Sequence, residues 1–68
     1  MIYMMWMIDD MKAPLPQNIQ LALQHHERKY GQVPTLIEHG MKVEMPKIDG
    51  VRYVPVKVPA NILLLAVE

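Results

Sequence analysis

The run Ile62-Leu63-Leu64-Leu65-Ala66-Val67 is apolar at every position. A strand sends successive side chains to opposite faces, so a strand made of these residues has no face to give to water. It belongs in the middle of a sheet, covered on both sides. The chain that must supply the cover has 68 residues. That is enough for one domain, and a domain of this size buries only about 60% of its unfolded surface.

Other sources of stability are few. There is no cysteine, so disulfides and thiolate metal sites are excluded, and stability must come from packing or from association. Seven acids balance seven bases. A neutral chain lacks the positive field on which nucleic-acid and membrane-surface binders rely, and little charge repulsion opposes self-association. The apolar runs 1–8 and 62–67 fall well short of the ~20 residues of a membrane span. The first run has no Lys or Arg before it and is followed by Asp9 and Asp10, unlike a signal peptide. A cytoplasmic chain with no membrane partner is expected.

One long helix is legible. Leu15, Ile19, Ala22, Leu23, His26 and Tyr30 recur at spacings of three and four and form one apolar stripe, with Gln17, Gln20, Gln24, Glu27 and Arg28 on the wet side. Pro16 suits the first turn. Arg28 and Lys29 suit the negative C-terminal end of the dipole. Gly31 supplies a left-handed stop. These signals predict a helix over 16–30.

Strands are expected around it. Residues 1–10, M-I-Y-M-M-W-M-I-D-D, read as a Met-rich apolar strand or arm preceding a single domain over 11–68. Residues 35–39 form a short apolar-leaning segment closed by Gly40. Met41 to Met45 alternate apolar and polar, and Asp49-Gly50 is a hairpin signal, so an antiparallel hairpin over 41–58 is expected. With a two-residue loop, Met45 faces Val54, Val43 faces Val56 and Met41 faces Val58 on one side. Lys42 then faces Lys57 and Glu44 faces Pro55 on the other. Pro46 and Pro55 disagree with that register, because they occupy ladder-donor positions and have no N–H.

The fold class that results is α+β: one amphipathic helix packed on a small, mainly antiparallel sheet of three to four strands. Ile19, Leu23, Val43, Val54, Val56, Leu63 and Leu65 form the expected core. One helix cannot cover both faces of that sheet. The apolar surplus at the two ends therefore points to a homo-oligomer, a dimer first, with Ile2, Tyr3, Trp6, Ile8 and Leu64 at its interface.

Chemistry-bearing constellations are sparse. Serine and cysteine are absent and Thr35 is the one small hydroxyl, so no common acyl-transfer nucleophile is available and no catalytic residue is assigned. His26, Glu38 and His39 form a conceivable metal set, but the four-residue histidine spacing of a helical zinc site is missing. The plainer reading puts His26 at the core edge beside Tyr30 and leaves His25 solvated. Lys42, Tyr53 and Lys57 on the outer face of the hairpin, with Arg52 at its tip, resemble a single-strand-binding surface in kind. One aromatic among mixed charges is equally an ordinary wet sheet face. Gly31-Gln32-Val33-Pro34 lacks the repeated glycines of a phosphate loop. No cofactor or small-molecule ligand is implied, and a cavity of ~300 Å³ or more is not expected at this size. A small, non-catalytic, self-associating interaction module is the leading expectation. A nucleic-acid binder on the hairpin face and a metal-dependent or interface-built enzyme around His26 and His39 are the alternatives.

Overall fold

In the computed structural model, which describes residues 2–68, helix α1 runs Leu15–Tyr30. Met1, the first residue of the expected arm, lies outside the described residues. Pro14 precedes the helix at φ −56° and its carbonyl accepts from the N–H groups of Gln17 and Asn18 at 3.1 and 3.2 Å. No side chain caps this end. Gly31 ends the helix at φ 76°, and its N–H donates to Glu27 O at 2.7 Å, which is the left-handed stop the sequence calls for. Asn18 ties the preceding linker down: its Nδ2 donates to Asp10 O at 3.1 Å, and the side chain is buried.

Four strands follow the helix or precede it: β1 Met4–Met7, β2 Leu36–Gly40, β3 Arg52–Val56 and β4 Ile62–Ala66. They form one sheet in the order β1-β4-β2-β3. The all-apolar β4 is a central strand, as its composition requires, antiparallel to β1 (Met5 opposite Leu64) and to β2 (Ile37 opposite Leu65). The fold is α+β, one helix on a small mixed sheet, mostly antiparallel.

The expected hairpin over 41–58 does not form. Residues 43–48 lie in no strand, and β3 pairs instead with β2, in parallel, with Ile37 opposite Tyr53 and His39 opposite Pro55. The turn explains why. Asp-Gly closes a hairpin when both central residues take positive φ. Here Gly50 does, at 82°, and Asp49 does not, the pattern of a type II turn whose twist does not suit a two-stranded ribbon. Val51 N–H donates to Ile48 O at 3.2 Å to close it. Residues 41–51 are then a crossover, and Met45, Ile48 and Val51 pack onto the core from it.

The proline conflict resolves in the same geometry. Arg52 N–H donates to Thr35 O at 2.8 Å, so alternate residues of β3 (Arg52, Val54, Val56) turn their backbone groups to β2. Tyr53 and Pro55 turn theirs outward, and at the sheet edge Pro55 costs no ladder bond.

Register also sorts the two sheet faces. Met4, Trp6, Ile37, His39, Tyr53, Leu63 and Leu65 share the face under α1, where Met4, Ile37, Leu63 and Leu65 join Ile19, Ala22, Leu23 and Ile8 in the core. Val43, Val54 and Val56, expected in the core, are only half-buried. Val54 and Val56 lie on the other face of an edge strand. Met4, Ile8, Ala22, Leu36, Ile37 and Ala66 take core positions not anticipated. The radius of gyration, 10.9 Å, matches the roughly 11 Å of a globular chain of this length, and β1 is paired into the sheet beside β4.

Candidate interaction surface

Residues with the opposite parity build the second face: Met5 and Met7 on β1, Ile62, Leu64 and Ala66 on β4, Leu36 and Glu38 on β2, and Val54 and Val56 on β3. Tyr3 continues the β1 side. Among the described residues no helix crosses this face. At its centre Leu36 and Ala66 are shielded by their neighbours, and Ile62, Leu64, Val54 and Val56 are half-exposed. Exposure rises toward β1, where Tyr3, Met5 and Met7 are 42%, 64% and 54% exposed. Polar groups flank the apolar patch. Beside the Glu38 carboxylate, the Tyr3 phenol is held above its ordinary pKa. Arg52 and Glu68 pair at the far end.

The expected interface residues divide among three places. Tyr3 and Leu64 lie on this open face. Trp6 is half-buried on the helix side, its ring 5.1 Å from that of His25. Ile8 is 3% exposed and belongs to the core of its own chain. Ile2 is exposed, but beside the helix C-terminus. The sequence does not distinguish Met5 and Met7, because an all-apolar run has no alternation to reveal which members point outward. Only pairing with β4 does so.

The metal set is dispersed. Glu38 and His39 are consecutive on β2 and point to opposite faces. His26 is buried against Tyr30 (centroids 4.7 Å apart) with Nδ1 2.8 Å from Gln32 O, and His39 Nδ1 donates to Gly40 O at 2.9 Å. Among the described residues no three metal-ligating side chains converge.

The basic surface is likewise undone with the hairpin. Arg52 and Tyr53 are consecutive and face opposite ways. Tyr53 is half-buried on the helix side, its ring 6.1 Å from His39 and its hydroxyl enclosed. Lys42 and Lys57 are exposed in separate connections. Thr35 Oγ1 accepts from Glu68 N–H at 2.8 Å, a structural bond.

Room for a ligand is larger than expected, though open. Hollows of about 440 Å³, lined by Ile2, His26, Tyr30, Gln32 and Val67, and about 320 Å³, beside Gly40, Lys42 and Val58, lie on the surface. The first brings His26 and Tyr30 together and the second holds Lys42, and no carboxylate is among the lining residues of either. No helix among the described residues is long and apolar enough to cross a membrane. No protein-family model, curated protein or solved structure matches the chain.

Proposed function

We propose that the chain is a small, non-catalytic interaction module that associates with a second copy of itself, in a cytoplasmic setting. One observation carries the reading: among the described residues no helix covers the sheet face away from α1, and its β1 side is apolar and open at Tyr3, Met5 and Met7. Those three side chains expose on the order of 300 Å² between them, within the range of patches that mark interaction sites. A chain with no net charge offers a second copy no overall repulsion.

Sedimentation equilibrium across micromolar concentrations tests it. The expected result is a reversible, concentration-dependent dimer. A mass that stays at one chain throughout overturns the proposal.

A further inference from the structure

We infer that two copies join through β1, antiparallel and centred on Met5, to make one continuous sheet of eight strands; this rests on the self-association proposed above and specifies its geometry. The backbone phase of β1 comes first. Ile8 N–H donates to Asn61 O at 2.8 Å. With the β1–β4 register, alternation turns the backbone groups of Met4, Trp6 and Ile8 toward β4 and those of Tyr3, Met5 and Met7 outward. The outward three are also the residues whose side chains stand exposed on the open face. Main-chain donors and apolar side chains thus lie together on one edge.

The two edges of the sheet differ in their chemistry. On β3, Pro55 occupies an outward position and offers no N–H, and the Arg52–Glu68 pair and Lys57 add charge nearby. These are the devices that keep an edge from accepting another strand. From Ile2 to Ile8 there is no proline, no glycine and no charge. A dimer joined at β1 then ends on two guarded β3 edges, which makes the assembly closed.

Charge selects the direction. Asp9 and Asp10 follow β1 and are exposed. Parallel pairing would set the four acids of two copies side by side; antiparallel pairing sends them to opposite ends. Centring on Met5 matches all three outward residues. Met5 exchanges two hydrogen bonds with the partner's Met5, and Tyr3 two with the partner's Met7, on each side of the two-fold axis. Side chains of the same residues then cover one another across the junction, and Ile62 and Leu64 continue the apolar strip on the same face. The contact falls short of the ~800 Å² per partner of a standard interface, so a weak, micromolar dimer is the expected form.

Met5→Pro tests the geometry. The Met5 N–H is not part of the intrachain ladder, so proline is tolerated in the folded monomer. The expected result is a fold like wild type with dimerisation weakened roughly ten- to a hundredfold, the effect of losing two hydrogen bonds at the axis. Amide hydrogen exchange on the wild-type chain provides a check that does not depend on the variant folding. The amides of Tyr3, Met5 and Met7 should slow as concentration rises, while those of Trp6 and Ile8 are protected at every concentration. A dimer whose Tyr3, Met5 and Met7 amides exchange freely, or one that Met5→Pro leaves equally tight, overturns the edge geometry and leaves self-association standing. A wild-type monomer at all concentrations overturns both.

Discussion

Arg52 and Glu68 form a two-pronged ion pair, with Nε donating to Oε1 at 3.0 Å and Nη2 to Oε2 at 2.7 Å. The pair fastens the start of the edge strand β3 to the chain beyond β4, across β2. Together with the bond from Glu68 N–H to Thr35 Oγ1, it closes one end of the sheet. Both side chains are open to solvent, so the pair acts mainly on local geometry and on titration. The Arg52 guanidinium, hydrogen-bonded to it, holds the Glu68 carboxyl below its ordinary value. A lowered acid pKa in the folded chain means that the associated stability is present above the ordinary carboxylate range and is lost as pH falls through the lowered value. In a carboxyl-detected NMR titration, Glu68 should show a midpoint below 4.5. Arg52→Gln should move it upward, and high salt should do so in part.

Tyr53 presents the opposite sign. Its hydroxyl is buried with no hydrogen-bond partner among the described residues, and burial raises its pKa above 10.0. The neutral form is the one the fold tolerates. This stability is therefore complete below pH 10 and is lost as pH rises through the raised value. Tyr53→Phe keeps the ring and removes the unpaired hydroxyl. It should raise stability at neutral pH by about 1 kcal/mol and reduce the alkaline loss, which urea melts at a series of pH values on both chains will read.

Gly40 ends β2 in a tight place. A methyl on its Cα would lie 3.1 Å from Val58 O and 3.3 Å from Ala60 Cα, closer than ordinary contact and against backbone. Gly40→Ala should cost about 1 kcal/mol through this crowding, a fall in melting temperature of about 4–8 °C for a domain of this size. Gly40→Val should cost more. Calorimetry of the three chains checks the order.

Removing residues 1–10 should do more than abolish association. Met4 and Ile8 are 7% and 3% exposed, and burying each contributes roughly 1.5–3 kcal/mol. The deletion also leaves β4 with one uncovered flank. Since a small domain has only about 5 kcal/mol in hand, the truncated chain should be largely unfolded by circular dichroism. Met5→Pro, which spares the core, should not be.

The chain's local signals determined a good deal. The apolar stripe and Gly31 predicted α1 to within a residue of its start. The unbroken apolar run 62–67 required a central strand, and β4 is one. Both are properties of a single segment: a helical period, a left-handed stop, the absence of any face fit for water.

Pairing was decided only in three dimensions. Asp49-Gly50 resembles a hairpin turn in sequence, but Asp49 keeps a negative φ, residues 41–51 cross over the core, and β3 lies alongside β2 in parallel. Pro55 disagrees with a paired ladder and agrees with an outward position on an edge. In β1, Met4 and Met5 are chemically identical, and one lies in the core while the other faces outward because Ile8 bonds to Asn61 and sets the phase. Which side of a strand meets a neighbour depends on residues distant in the chain, and no local pattern encodes that choice when every side chain is apolar.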